Sequence, residues 1–229
     1  MAGILPVYTS PNSQVAAMFK IIRTNIEFTA LDRKFSSLIV TSATPAEGKS
    51  TILANLAAAF AQCAKKVLIV DCDLRKPTQH EIFGLPNSPG LTNILLNDNL
   101  FLPCPTCGHT CYSQAIKPTF IKNLFLLPSG PLPPDPTELI ASGIIKDLTG
   151  QLQSSYDLLL FDSPPVSIFA DTAILANFLD GVILVINSGE VKKETAVKAK
   201  ASLLQAKAKI LGVVLNNMET GRNHSGGTN

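Results

Sequence analysis

The feature that most constrains this chain lies between residues 38 and 64. A short apolar run, Leu38–Val40, enters the loop Ala43-Thr-Pro-Ala-Glu-Gly-Lys-Ser50, and a long apolar stretch, Ile52–Ala64, leaves it. A buried strand turning sharply into a helix places a row of backbone N–H groups around an anion. The helix N-terminus adds the positive end of its dipole. The eight residues follow the phosphate-loop pattern G-x-x-x-x-G-K-[ST], with Ala43 in place of the first glycine. In such a loop the lysine, here Lys49, reaches the β- and γ-phosphates and the hydroxyl of Ser50 is placed to ligate Mg²⁺. The candidate nucleotide-binding residues are therefore Ala46, Glu47, Gly48, Lys49, Ser50 and Thr51.

The rest of the chain repeats the strand-then-helix alternation. Apolar runs at Leu38–Val40, Val67–Val70, Leu124–Leu127, Leu158–Phe161, Val182–Ile186 and Ile210–Leu215 read as buried strands. The Ile52–Ala64 stretch reads as one helix. Leu139, Ile140, Ile144, Leu148 and Leu152 recur at helical spacing after Pro136 and predict a second. A third covers Glu194–Ala208, with Val197, Ala201 and Leu204 expected inward and Lys193, Lys200 and Lys207 on a solvated face. This pattern predicts an α/β protein of the P-loop NTPase fold, with a mostly parallel sheet flanked by helices on both faces. A length of 229 residues suits one such domain, expected over residues 1–219, with a polar insertion at 98–118 and a flexible tail at 220–229.

Charge narrows the partners. A net charge of +2 gives no broad basic footprint, so nucleic acid is not expected. No apolar run reaches membrane-spanning length, and no basic stretch followed by an apolar core marks a secretory signal. A cytoplasmic chain is expected, with any membrane contact arising through a partner or through a fused segment.

Carboxylates at strand ends come next, because ligands of open parallel sheets sit beyond the carboxyl ends of the strands. Val67–Val70 runs into Asp71-Cys-Asp73-Leu-Arg75-Lys-Pro77. Two residues apart on an extended chain, Asp71 and Asp73 can face one pocket; alternatively, one of them caps a following helix. The strand Leu158–Phe161 ends in Asp162-Ser-Pro-Pro165, the form of a Walker B strand, whose carboxylate holds Mg²⁺ with few direct protein ligands. Ser50, Asp73 and Asp162 are the candidate Mg²⁺ residues.

With those motifs in place, nearly the whole chain resembles the bacterial tyrosine kinases of capsule and exopolysaccharide systems. The matching stretches are Phe19–Asn25, the Pro45-Ala-Glu-Gly-Lys-Ser-Thr51 loop, the Asp71-x-Asp73-Leu-Arg-Lys-Pro motif and Gly90-Leu-Thr-Asn93. They continue through Gly130-Pro-Leu-Pro-Pro-Asp-Pro-Thr-Glu-Leu139, Asp162-Ser-Pro-Pro165 and Gly212-Val-Val-Leu-Asn216. The resemblance implies MgATP-dependent phosphorylation of protein tyrosines, commonly between subunits. It implies that Lys49, Asp71, Asp73 and Asp162 carry catalysis, Asp71 orienting or deprotonating the phenol, and that Asn216 lies near the adenine. It also implies the cytoplasmic segment of a transmembrane polysaccharide co-polymerase as activator, and a homo-oligomer.

Departures from the family pattern are as informative. The N-terminal helix of these kinases carries Glu-x-x-Arg-x-x-Arg for ring assembly, whereas this chain has Ala17, Lys20 and Arg23. The family's C-terminal tyrosine cluster has no counterpart, since the three tyrosines are Tyr8, Tyr112 and Tyr156. Ala46 stands where glycine is usual, a substitution made costly if the loop needs a positive φ there. Cys104, Cys107, His109 and Cys111 are numerous enough for a tetrahedral Zn²⁺ site, the alternatives being a mobile loop or redox-sensitive thiols. Two other functions stay open: a nucleotide switch of the partition and division-site type, and an ATP-binding regulatory module with little kinase activity. The switch ATPases carry a lysine where this loop has Thr44.

Overall fold

Each expected strand forms in the computed structural model, which describes residues 5–29, 35–96 and 111–218. The strands are β1 (Ser37–Ser42), β2 (Val67–Asp71), β3 (Lys117–Pro118), β4 (Leu124–Leu127), β5 (Leu158–Asp162), β6 (Gly181–Asn187) and β7 (Ile210–Asn216). They build a sheet in the order β3-β4-β2-β5-β1-β6-β7. Only the β3–β4 pair is antiparallel. β3, an edge strand, comes from the C-terminal end of the 98–118 insertion.

Alternation along the strands divides the interior in two. Leu38 and Val40 of β1 belong to one apolar cluster, and Ile39 to the other. β2 splits likewise, with Val67 and Ile69 on one face and Leu68 and Val70 on the other. Near-continuous burial is the mark of a parallel sheet covered on both faces, and every residue of β1, β2, β5 and β6 is buried.

Helices α1 (Pro6–Thr9), α2 (Gln14–Thr29) and α3 (Lys49–Ala61) share one face. Every residue from Ile52 to Ala61 of α3 is buried, and its alanines, lacking bulk, let it lie close against the sheet. The short α4 (Gln79–Phe83) and α5 (Leu91–Leu95) follow β2. α5 is reached through a close approach of two quoted motifs: the Leu91 and Thr92 N–H groups donate to the carbonyls of Pro128 and Ser129, each at 2.7 Å. A Cβ at Gly90 would collide with the backbone at Gly130, so the position requires glycine.

The opposite face holds α6 (Pro136–Ala141), α7 (Ile144–Gln153), α8 (Asp171–Ala176) and α9 (Lys193–Gln205). Two sequence expectations are corrected here. The single helix expected after Pro136 is two, because the chain breaks at Ser142–Gly143, where Gly143 takes φ 80°. On α9 the buried residues are Ala199 and Leu203, whereas Val197 is 57 % and Leu204 55 % exposed. Periodicity could not separate these adjacent apolar faces. The fold turns the face bearing Ala199 and Leu203 inward, and Val197 and Leu204 border an open groove with Val213 and Leu215 of β7.

Candidate active site

The carboxyl ends of β1, β2 and β5 converge, and parallel register brings Asp71 of β2 level with Asp162 of β5. Between β1 and α3 the loop turns through two left-handed residues, Ala46 at φ 65° and Gly48 at φ 84°. The cost foreseen for Ala46 is therefore present. A left-handed alanine carries about 1 kcal/mol of backbone strain, so Ala46→Gly is expected to raise unfolding stability by up to that amount, read as a shift of the urea midpoint at unchanged slope. Gly48 has no such latitude, because a Cβ there would be driven into the Asn216 side-chain amide.

A brace holds the loop from behind. Glu47, only 2 % exposed, turns its carboxylate inward. One oxygen accepts from the Thr44 N–H and, at 2.8 Å, from the Thr44 hydroxyl; the other accepts from the Asn187 N–H at 2.9 Å. Asn216 donates its amide to the Glu47 carbonyl at 3.0 Å. Two residues expected at the nucleotide thus tie the loop to the ends of β6 and β7 through their side chains. Ser50 and Thr51 start α3 and line a cleft of about 570 Å³ together with Ala46, Gly48 and Lys49.

Lys49 lies at the centre of the acidic group. Its Nζ is 2.8 Å from Asp73 Oδ2, 3.2 Å from Asp162 Oδ1 and 3.1 Å from Ser50 Oγ. Burial pulls the ammonium pKa down, but the Asp162 and Asp73 carboxylates outweigh it and the net shift is upward. Asp162 Oδ2 accepts from Gln79 Nε2 at 2.7 Å. Asp71 is completely buried behind them, accepting from the N–H groups of Asp73 at 3.2 Å, Thr78 at 3.2 Å and Gln79 at 3.0 Å. The capping reading of the Asp pair holds, with Asp71 accepting from the N–H groups at the start of α4, whereas of the two only Asp73 lines the cleft.

Burial, then the neighbouring Asp162 charge, pushes the Asp71 pKa well above the ordinary carboxylate value. A folded-state pKa above the unfolded one means that the native state holds the proton more tightly. The associated stability is present below the unfolded value of about 3.9 and is lost as pH rises through the folded value. Asp71→Asn removes this titration. The stability of the variant relative to the parent is expected to improve from pH 4 upward in urea denaturation, whereas a constant difference would show that the carboxyl is not shifted.

A further cluster escaped sequence reasoning. Arg75 donates from Nε to Asp171 Oδ2 at 3.2 Å and from Nη2 to the Thr137 hydroxyl at 2.7 Å, with its guanidinium 4.1 Å over the Phe169 ring. Asp171 is fully buried. Arg75 lay within a quoted motif, but nothing in the sequence linked it to Thr137 or Asp171. Phe169, Pro164, Pro165 and Ile82 give the cleft an apolar wall beside the carboxylates.

The donor set suits Mg²⁺. Asp73, Asp162 and Ser50 offer hard oxygens, and Gln79 Oε1 is buried with no hydrogen-bond partner among the described residues. Mg²⁺ takes few direct protein ligands and keeps several waters, so this small set is enough to hold it. Zinc gains no support. Cys104, Cys107 and His109 lie outside the described residues, as do the Cys111 side chain and the tail at 220–229.

Sheet order, loop and carboxylates define a P-loop NTPase. Residues 35–228 match the ParA family profile described as NUBPL iron-transfer P-loop NTPase. Tyrosine-protein kinase YwqD of Bacillus subtilis (strain 168) is 46 % identical over 208 residues, spanning 91 % of this chain and 83 % of the relative. The putative tyrosine-protein kinase CapB of Staphylococcus aureus is 40 % identical over 221 residues, spanning 96 % and 92 %. The crystal structure of the chimerical protein CapA2B2 superposes with a TM-score of 0.86 at 42 % identity, covering 94 % of this chain and 90 % of that one. This chain belongs to the bacterial tyrosine-protein kinase family.

Proposed function

We propose that the chain is an ATP-dependent protein-tyrosine kinase acting in the synthesis or export of an extracellular polysaccharide. The observation that carries this reading is the convergence of Lys49, Asp71, Asp73 and Asp162 at the carboxyl ends of adjoining strands, in a family of tyrosine-protein kinases. Lys49 and the loop amides of residues 46–51 bind the phosphates. Ser50, Asp73 and Asp162 hold Mg²⁺, directly or through its water. When bound, the ion neutralises charge on the phosphoryl oxygens during transfer.

Asp71 takes the phenol proton in this scheme. A phenol of pKa about 10 is a weak nucleophile, and a carboxylate raised by burial is a stronger proton acceptor than a solvated one. Its lack of exposed surface makes proton transfer dependent on the site opening around the acceptor. The Phe169, Pro164 and Pro165 wall suits the acceptor's ring, with Arg75 held against Phe169 by Asp171.

The switch-ATPase reading is less favoured because Thr44 occupies the position of its lysine and is committed to Glu47. Among the described residues no helix is long and apolar enough to cross a membrane. A location at the inner membrane face through the cytoplasmic segment of a transmembrane activator accompanies the reading. The exposed apolar residues Val15, Met18 and Ile21 of α2 offer a surface for a partner or a second copy.

The test is purified protein with MgATP and a tyrosine-containing acceptor, with and without the activator segment, followed by phosphotyrosine detection. ATP hydrolysis without phosphotyrosine on any protein would favour the switch. Phe169→Ala is expected to raise KM for the acceptor about tenfold or more while leaving nucleotide affinity near the parent value, as loss of an aromatic contact on the acceptor alone requires.

A further inference from the structure

Gln79 is buried at the first turn of α4 and belongs to none of the recognised motifs. Its backbone N–H donates to Asp71 Oδ2 at 3.0 Å, while its side-chain Nε2 donates to Asp162 Oδ2 at 2.7 Å and to the Ser50 carbonyl at 3.1 Å. Two acceptors around one nitrogen fix the amide orientation, since the flipped amide would set an oxygen against a carboxylate and a carbonyl. That leaves Oε1 as a buried acceptor with no partner among the described residues. Asp162 has its other oxygen, Oδ1, on the Lys49 side.

We propose that Gln79 is a positioning residue for the metal-binding carboxylate: it pins Asp162 Oδ2 to the start of α3, so that Oδ1 is presented to the cleft at a set distance from Ser50. Its Oε1 is the acceptor for an O–H of the metal's water shell. This rests on the MgATP reading above. The strand ending in Asp162 and the helix beginning with Lys49 and Ser50 come from distant parts of the chain. Backbone pairing between β1 and β5 sets their heights but not the rotation of a carboxylate about its own side-chain bonds. A short hydrogen bond from an amide that also holds the Ser50 carbonyl supplies that restraint. Partners of this kind, one step removed from the ion, affect metal affinity strongly.

The test measures binding rather than turnover. Fluorescent ADP is titrated into the purified chain with excess Mg²⁺ and with EDTA, and the ratio of the two affinities is the readout. Gln79→Met, which keeps the volume and removes both polar atoms, is expected to lower the ratio about tenfold, with the EDTA affinity near that of the parent. Gln79→Asn retains an amide but withdraws it by one methylene, and is expected to fall between the two.

In the double variant Gln79→Met/Asp162→Asn the ratio should fall by less than the product of the two single effects, because the pinning of Asp162 is already lost and only the Oε1 contact remains to be removed. A parental ratio in a folded Gln79→Met protein overturns the proposal. So does an equal loss with and without Mg²⁺, or failure of both Gln79 variants to fold, since either outcome makes Gln79 a core residue. A parent whose ADP affinity ignores Mg²⁺ would instead overturn the MgATP reading itself.

Discussion

Lys49→Met is expected to reduce phosphotransfer by about a thousandfold or more, because the ammonium is a fixed cation placed between the catalytic carboxylates Asp73 and Asp162, and positioning of charge carries most of the rate in this chemistry. The change also acts on folding. Lys49 is largely buried between Asp73 and Asp162, and removing one partner of a buried ionic group costs about 3–5 kcal/mol when the remaining charges stay ionised. Urea denaturation of the variant and its parent measures it. A variant as stable as its parent would show that the lysine–carboxylate group contributes nothing net to the fold.

Glu47→Ala is the second large effect, and it concerns the shape of the loop. The carboxylate satisfies the Thr44 and Asn187 N–H groups, the second of them in a buried residue. Leaving two such donors unpaired is expected to cost about 3 kcal/mol of stability. Without the brace the loop amides lose their fixed arrangement, and nucleotide affinity should fall at least about tenfold, since preorganised donors are what make such a loop bind. Glu47→Gln keeps one acceptor oxygen and should lie between. Denaturation and titration with fluorescent ADP give the two numbers. If Glu47→Ala lost stability but kept its affinity, the amides would be held by the β1–α3 turn alone.

These two residues show how unevenly the site could be read beforehand. Lys49 belongs to a short local pattern whose spacing follows from the geometry of a strand, a turn and a helix start, and its place was legible. So was the penalty at Ala46, because a left-handed turn position tolerates glycine better than alanine whatever surrounds it. Glu47 stood in the same pattern as a candidate for the nucleotide, yet its carboxylate faces the opposite way, onto Asn187, 140 residues further on. Gln79 reaches Asp162 across 83 residues and Asn216 reaches Glu47 across 169. No periodicity marks a single polar residue as the partner of another so far away.

By itself, then, the sequence determined six of the strands, the phosphate loop, the acidic strand ends and the family, but not the short edge strand β3 nor that β7, expected to be buried, leaves Val213 and Leu215 exposed. What was legible is written in neighbouring residues: unbroken apolar runs, and motifs whose spacing is local. Only the tertiary structure decided which carboxylates share the lysine, which way Glu47 turns, that Arg75 is locked to Asp171 and Thr137, which face of α9 is inward and that the helix after Pro136 breaks at Gly143. Those outcomes depend on the sheet order β3-β4-β2-β5-β1-β6-β7, which brings distant strand ends side by side, and on burial, which makes each polar group there find a partner wherever in the chain that partner lies.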